Sequence, residues 1–296
     1  MNGIYQELLQ PAWLQGDLEG NRPSPPCVLT IAGSDSGGGA GIQADIKTFM
    51  ALGVYGSSVI CALTSQNGER VDGIFPINPE FVALQLETVL SGFPVKALKT
   101  GMLFSADIIE TVASCLAKRA LTIVVDPVCV SQSGHRLLEG SAVEALKKHL
   151  IPLADLLTPN KPEAELLAEM AINSPDDIKI AAKRLMKLGA KAVLIKGGHF
   201  DCTDDTVTDW LAMPGQSPVP LQMRHISTGN NHGTGCTLAA AITAHLGLGL
   251  SLQEAILHSQ KYLNTCLKFS YNPGKGSGPV NHAAPLFFLL QRVMSK

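Results

Sequence analysis

The sequence predicts an α/β fold in which a mostly parallel central sheet is covered by helices on both faces. From residue 27 onward, short apolar runs alternate with longer amphipathic stretches. Two of the runs, residues 28–32 and 121–125, are apolar apart from one threonine each and rich in β-branched side chains, as buried strands are. Strands that alternate with helices favour parallel pairing with both faces covered.

The remaining elements follow the same alternation. Further strands are predicted at residues 56–63, 97–99, 156–158 and 192–196. Helical periodicity is present at residues 40–52, 79–91, 106–119, 141–150, 162–170 and 174–188, and later at 237–245, 252–269 and 283–294. Residues 206–211 and 219–226 predict a hairpin before this last helical part. Ligands of such sheets bind beyond the carboxyl ends of the strands, so the loops that follow strands should carry the chemistry.

The first 26 residues differ from the rest of the chain. Their glycines and prolines interrupt any regular element, and we interpret residues 1–26 as a flexible N-terminal extension. No internal repeat or low-complexity linker follows, so residues 27–296 are predicted to form one domain, which is a common size for an α/β domain.

Composition excludes several classes of function. Apolar residues make up 46% of the chain, as expected of a well-buried globular protein. The formal net charge is -2, so no surplus of basic residues is present for binding nucleic acid. The seven cysteines form no C-x-x-C pair, which favours a reducing compartment over a disulfide framework. No apolar run is long enough to span a membrane, and no basic segment followed by an apolar run indicates a secretory signal. A cytoplasmic protein without a membrane partner is therefore expected.

A glycine-rich segment, residues 33–41, follows the first strand and opens a helix. Glycines let the backbone approach a ligand, and the helix start adds a positive dipole end. Residues 39–44 also fit the dinucleotide pattern G-x-G-x-x-A, but the ribose-binding acid expected about 20 residues later is missing. A flexible strand-to-helix turn is the alternative, although Asp35 adds a polar group that such a turn does not need.

A second glycine-rich segment, residues 233–237, also begins a helical pattern. Small residues at a helix start leave backbone N–H groups available to an anion, and such donors stabilise the charge of a transferred phosphoryl group. Cys236 lies in the first turn, where the helix dipole favours a thiolate. The alternative is that Cys236 is a small core residue at a tight helix–strand contact.

Polar residues follow three later strands. Asp126 comes directly after residues 121–125, which places an acid where metal or substrate could bind. Asn160 and Glu163 flank a helix start, where Glu163 either helps to hold Mg²⁺ through water or only complements the helix dipole. Lys196 precedes two glycines and suits phosphate contact. No Walker A pattern is present, so any use of ATP requires another phosphate-binding loop.

Seven blocks of residues together resemble the hydroxymethylpyrimidine/phosphomethylpyrimidine kinases of the ribokinase-like superfamily. The blocks span residues 28–282 in the family's order and lie at residues 29–45, 65–67, 99–103, 126–128, 158–164, 196–199 and 232–238, followed by the tail 276–282. The resemblance implies a ribokinase-like fold and ATP- and Mg²⁺-dependent phosphorylation of a pyrimidine and its monophosphate in thiamine biosynthesis. A homodimer is the expected assembly.

The resemblance also implies a role for each site residue. Gln66 should hydrogen-bond the pyrimidine, with Asp35, Met102 and Gly33 lining the same pocket. Catalysis is expected from the anion-hole segment, namely Gly233, Thr234, Gly235 and Cys236, with Cys236 in the place of an aspartate base. Asp126 and Glu163 should serve Mg²⁺, and the nucleotide should contact Lys196, Asn160 and Asn230.

One loop departs from the family pattern. Gly229 stands where a lysine is usual, and Asn231 where a threonine is usual. The missing lysine removes a possible nucleotide contact. Three alternatives stay open. A pyridoxal kinase would share the fold and most motifs, and the altered loop favours a non-catalytic pyrimidine-binding sensor. A dinucleotide-dependent oxidoreductase is a more distant alternative.

Overall fold

One nine-stranded sheet organises the molecule. The computed structural model describes residues 24–129, 140–198 and 205–287. Its strands are β1 (Cys27–Asp35), β2 (Tyr55–Gln66), β3 (Val71–Pro76), β4 (Val95–Thr100), β5 (Thr122–Val125), β6 (Leu156–Leu157), β7 (Val193–Ile195), β8 (Thr206–Ala212) and β9 (Val219–Arg224).

The strand order is β3-β2-β1-β4-β5-β6-β7-β8-β9. Neighbouring strands from β2 to β7 pair in parallel, whereas β3, β8 and β9 pair antiparallel at the two sides of the sheet. The predicted mostly parallel sheet and the β8–β9 hairpin are thus confirmed. Strand β3 was not predicted from the sequence; it is largely exposed, contains Gly73 and ends at Pro76.

Eight helices connect these strands in the described part of the chain. They are α1 (Gly41–Ala51), α2 (Pro79–Gly92), α3 (Ala106–Leu116), α4 (Gly140–Ala145), α5 (Lys161–Ala168), α6 (Pro175–Lys187), α7 (Thr234–Gly247) and α8 (Leu252–Lys268). After Ala145 the helix loosens into a π-helical turn, Leu146–Leu150. The predicted helix at 283–294 and the extension at 1–26 lie largely outside the described residues.

Alternate side chains of the strands enter different cores. Leu29 of β1 and Leu98 of β4 pack with α2, α3 and the later helices α4–α6 in one cluster. Their neighbours Val28 and Ala97 pack on the opposite face, against α1, α7 and α8. Burial on both faces is expected for parallel strands whose residues are nearly all apolar. No helix in the described residues is both long and apolar enough to cross a membrane.

Helix α7 lies at the centre of this second face. Its residues from Thr237 to Ala244 are all buried, and six of these eight are alanine or threonine, whose small side chains permit close approach to the sheet. A helix that is apolar all round is expected only where it is enclosed by protein. The start of α7 is therefore held rigidly beside the carboxyl ends of the central strands.

Candidate functional site

The predicted site residues converge on the carboxyl edge of the sheet. Asp35 and Gln66 end β1 and β2, whereas Asp126 and Lys196 directly follow β5 and β7. Between these strands, Met102 follows β4, and Asn160 precedes α5 and forms a single bridge with Lys196. Carboxyl ends of parallel strands meet at one edge, which is where open α/β sheets bind ligands.

Asp35 organises the first glycine-rich turn. Its buried carboxylate accepts hydrogen bonds from the N–H groups of Gly37 (2.8 Å), Gly39 (3.0 Å) and Ala40 (2.8 Å). Burial raises the pKa of Asp35. The hydrogen bonds from His232 and from the Ala40 and Gly37 amides have a larger effect in the opposite direction, so the net shift of the pKa is downward. The turn amides that were expected to face a ligand are therefore occupied by the chain's own carboxylate.

His232 was not singled out in the sequence as a site residue, yet it joins the two glycine-rich segments. Its Nε2 lies 3.0 Å from Asp35 Oδ2 and 3.4 Å from Gln66 Nε2. Because a carboxylate only accepts hydrogen bonds, Nε2 carries the proton that it directs at Asp35. The Gln66 amide nitrogen cannot donate to the same protonated atom, so its N–H groups remain available to a ligand.

The beginning of α7 is uncapped. Gly233 occupies the N-cap position with φ of 80°, and no side chain caps the helix. The first turn therefore presents the N–H groups of Gly235 and Cys236 toward the edge of the sheet. Position 233 has no room for a side chain, since a Cβ atom there would lie 1.9 Å from the Gly39 carbonyl oxygen.

An ion pair borders this helix start. Lys196 Nζ lies 2.8 Å from Asp126 Oδ1, which also accepts a 3.1 Å hydrogen bond from the Thr158 hydroxyl. A Cβ atom built on Gly235 would be 3.4 Å from Lys196 Nζ and 3.8 Å from Asp126 Oδ2, so both charges adjoin the first turn of α7. Burial lowers the pKa of Lys196, but Asp126 and Glu163 raise it more, which keeps the ammonium charged.

Glu163 forms a capping box at the start of α5. Its carboxylate accepts from the N–H groups of Asn160 (2.9 Å) and Cys129 (3.3 Å), while Asn160 Oδ1 accepts from the Glu163 N–H (2.9 Å). Burial raises the pKa of Glu163, and the negative charge of Asp126 adds to this rise. The positive charge of Lys196 acts in the opposite direction but does not cancel the rise. The helix-start role is therefore built into the fold, and any Mg²⁺ role is additional to it.

These carboxylates fit a magnesium ion that takes most of its ligands from phosphate and water. The described residues contain no group of three or more His, Cys, Asp or Glu side chains placed to hold a metal. Mg²⁺ is usually bound through one or two carboxylates together with substrate phosphates. Asp126 Oδ2, which faces Gly235, is the oxygen best placed to hold it.

Cys236 is a thiol in this environment. Dense packing raises its pKa to about 11, although the charge of Lys99 and a hydrogen bond from the Gly41 backbone act in the opposite direction. Desolvation of the sulfur thus opposes the thiolate form that the helix dipole would favour.

Two predicted pocket residues are in contact, and one predicted nucleotide contact is engaged elsewhere. A Cβ atom on Gly33 would lie 2.5 Å from Met102 Cε, so this glycine makes room for the methionine. The Asn230 side chain turns away and accepts a 3.2 Å hydrogen bond from the Gly278 N–H. Neighbouring Gly229 is open: a Cβ atom there would meet nothing within 4 Å.

Comparisons with known proteins agree on a class of enzymes. A family model described as phosphomethylpyrimidine kinase matches residues 35–281. The chain is 46% identical to the hydroxymethylpyrimidine/phosphomethylpyrimidine kinase of Haemophilus influenzae over 87% of this chain and 96% of that one. It is 48% identical to the thiamine biosynthesis bifunctional protein of Geobacter sulfurreducens over 86% of this chain, but spans only about half of that longer protein (52%).

A solved structure extends the comparison to the fold. The Bacillus subtilis pyridoxal kinase, determined as an ADP complex, superposes with a TM-score of 0.81 at 38% identity. The alignment covers 88% of this chain and 98% of the pyridoxal kinase. The ribokinase-like fold expected from the resemblance is thereby confirmed.

Proposed function

Because this chain belongs to the phosphomethylpyrimidine kinase family, we propose that it transfers the γ-phosphoryl group of ATP to 4-amino-5-hydroxymethyl-2-methylpyrimidine and to the resulting monophosphate. This places the enzyme in thiamine biosynthesis, in agreement with the names of its curated relatives. Five cysteines have free thiols, namely Cys27, Cys61, Cys115, Cys236 and Cys266, which is consistent with action in the reducing cytoplasm.

The position of His232 carries the proposal. This residue immediately precedes the uncapped start of α7 and contacts both Asp35 and Gln66. The helix N–H groups and the Gln66 amide are thus within reach of one small molecule. A hydroxymethyl-substituted ring bound at Gln66 can direct its hydroxyl toward Gly235, where a phosphoryl group would lie.

Each part of this site has a physical task. The N–H groups of Gly235 and Cys236 stabilise charge that develops on the transferred group, and Lys196 adds a fixed cation. Asp126, together with Glu163, would hold Mg²⁺, which neutralises phosphate charge when bound. Cys236 accepts or orients the proton of the substrate hydroxyl. Since burial holds its pKa at about 11, the sulfur must lose a proton before it can accept one.

Pyridoxal is the alternative substrate. The superposition on the Bacillus subtilis pyridoxal kinase favours it, but identity to that protein is 38%, against 46% for the Haemophilus influenzae pyrimidine kinase. An ADP-release assay with the hydroxymethylpyrimidine, its monophosphate and pyridoxal decides between them through kcat/KM. Pyrimidine binding without ADP release from any of the three would instead indicate a sensor.

Substitution of Cys236 tests the mechanism. We expect Cys236→Ala to bind the pyrimidine normally and to lose about 10²–10⁴-fold in kcat, the usual contribution of a positioned acid or base. Cys115→Ala is the matched control, because Cys115 is also half-buried but lies on α3. Turnover of Cys236→Ala equal to that of the control would remove this sulfur from the mechanism.

A homodimer through the β3 edge completes the proposal. Several large apolar side chains of β2, β3 and α2 are strongly exposed, namely Leu63, Phe75, Phe81 and Leu84, and Phe75 reaches 67%. Apolar groups clustered on one part of a surface mark interaction sites. Sedimentation velocity that finds a monomer at micromolar concentration would contradict the dimer.

A further inference from the structure

The side chain of Asp209, at the middle of β8, is buried and holds two groups from other elements. Its Oδ1 accepts a 2.7 Å hydrogen bond from the Gly197 N–H, and its Oδ2 accepts a 2.7 Å hydrogen bond from Gln260 Nε2 of α8. None of these three residues has a role in the site described above. Gly197 nevertheless directly follows Lys196, so this side chain links β8 and α8 to the residue next to the phosphate-binding cation.

Gly197 lies where β7 separates from β8. The regular pairing of the two strands ends with Ile195 opposite Trp210. Beyond that point the buried Gly197 N–H bonds to the Asp209 side chain. A Cβ atom on Gly197 would lie 2.0 Å from the Thr208 carbonyl oxygen, so only glycine permits this close approach to β8. The carboxyl group of Asp209 therefore provides the acceptor that this backbone donor needs at the end of the strand pairing.

The backbone of Lys196 is consequently held from two sides. Its own N–H donates a 2.8 Å hydrogen bond to the Pro159 carbonyl oxygen, and the next N–H, that of Gly197, donates to Asp209. These two bonds fix the backbone from which the Lys196 side chain extends. The ammonium group at its end lies 2.8 Å from Asp126 Oδ1. The position of this cation beside the start of α7 thus depends on the anchor at Gly197.

Stability alone is a weak reason for this arrangement. While Gln260 Nε2 donates to Asp209, Gln260 Oε1 is buried and has no hydrogen-bond partner among the described residues, which costs free energy. Burial also raises the pKa of Asp209, although the hydrogen bonds from Gly197 and Gln260 and the charge of Lys196 oppose the rise. A buried carboxyl group and an unpartnered oxygen are more than the end of a strand requires. Their place directly behind Lys196 indicates that they serve this residue.

We propose that Asp209 is a positioning residue for nucleotide binding, which holds Lys196 in place for the phosphate by accepting the hydrogen bond of the Gly197 N–H. The proposal rests on the function given above, in which Lys196 supplies a fixed cation to the transferred group. A carboxyl group offers an acceptor oxygen in either protonation state, so the anchor does not require the charge of Asp209. Without the anchor, the buried Gly197 N–H would be unpaired, and the chain would have to move to satisfy it.

Two substitutions of Asp209 separate the acceptor from the charge. The assay is calorimetric titration with the magnesium complex of AMP-PCP, a non-hydrolysable ATP analogue. Asp209→Ala should weaken binding of this analogue about 10-fold, as expected when one hydrogen bond to a charged group is lost, and should leave pyrimidine binding unchanged. Asp209→Asn keeps an oxygen for Gly197, and the Gln260 amide can turn its oxygen to the new nitrogen. This variant should stay within about 3-fold of wild type, and equal weakening by both substitutions would contradict the proposal.

A double-mutant cycle with Lys196 distinguishes positioning from a general effect on stability. If Asp209 acts through Lys196, Asp209→Ala should change the Kd of the analogue less than about 2-fold in a Lys196→Met background. A further loss of about 10-fold in that background would overturn the proposal, because Asp209 would then act independently of Lys196. Pyrimidine binding reports whether each variant is folded. If Asp209→Ala does not fold, Asp209→Val removes the same acceptor while filling the space with a residue suited to a strand.

Failure of the proposed function gives a different result. A wild-type protein that does not bind AMP-PCP would overturn the kinase function itself. A wild-type protein that binds the analogue, with independent effects of Asp209→Ala and Lys196→Met, would overturn only the positioning role of Asp209.

Discussion

Replacing Gly233 by alanine should uncouple the two glycine-rich segments. The residue has φ of 80°, in the left-handed region that side chains disfavour, and its Cα hydrogen faces the backbone of Gly39. An added Cβ atom would lie 1.9 Å from the Gly39 oxygen and 2.9 Å from its carbonyl carbon. Both neighbours are backbone atoms, so no flexible side chain can move aside.

The magnitude has two parts. The left-handed conformation costs an alanine about 1–2 kcal/mol, and overpacking typically adds about 1–3 kcal/mol. For a protein of this size, the combined loss corresponds to a fall in Tm of roughly 5–10 °C. The clash also requires the start of α7 to retreat from Gly39 by about 1 Å, and a displacement of that size can reduce turnover about 10²-fold.

The variant Gly249→Ala separates the cost of the left-handed conformation from the cost of the clash with Gly39. Gly249 lies just beyond the other end of α7 with φ of 90°, but a Cβ atom there would meet nothing within 4 Å. This variant should therefore lose only the conformational term, about 2–4 °C in Tm, and retain kcat. Differential scanning calorimetry and the ADP-release assay measure both quantities. If Gly233→Ala matched Gly249→Ala in turnover, the close contact with Gly39 would have no role in the site.

Two further substitutions address the two ligands separately. Gln66→Ala should weaken pyrimidine binding about 10-fold, because it removes the amide donor next to His232, and should leave the affinity for ATP unchanged by calorimetry; equal losses for both ligands would indicate a folding defect. Gly229→Lys restores the lysine usual in the family at a position with open space, and should lower the KM for ATP several-fold, with Gly229→Ala as the control. A KM that is the same in both variants would exclude a nucleotide contact at residue 229.

The centre of the sheet was predictable because β1, β5 and β7 contain mostly apolar runs that are buried on both faces. The sequence at 71–76 lacks that signal, since β3 is an exposed antiparallel strand beside the end of β2. Strand β3 pairs with β2 through backbone hydrogen bonds. Gly73, at its centre, has no side chain that could contribute to a hydrophobic pattern. The loosening of the helix at Leu146–Leu150 likewise has no signature in hydrophobic periodicity.

The partners within the site could not be derived from local spacing. Asp126 and Lys196 are 70 residues apart, and Asp35 and His232 are 197 apart. The sequence indicated Asp126 and Lys196 because each directly follows a strand.

Two segments with similar composition have different physical tasks. In the first, the N–H groups of Gly37, Gly39 and Ala40 all donate to Asp35, so these three donors are not available to an anion. In the second, no side chain caps the helix after Gly233, and the adjacent N–H groups remain available. His232 fixes the second segment against the first through Asp35, so the distance from the Gln66 amide to the phosphate-binding end of α7 is set by one imidazole. The pyrimidine and pyridoxal rings are both six-membered, so discrimination between them at this point of the site should depend on the ring nitrogens and substituents that meet Gln66 and His232.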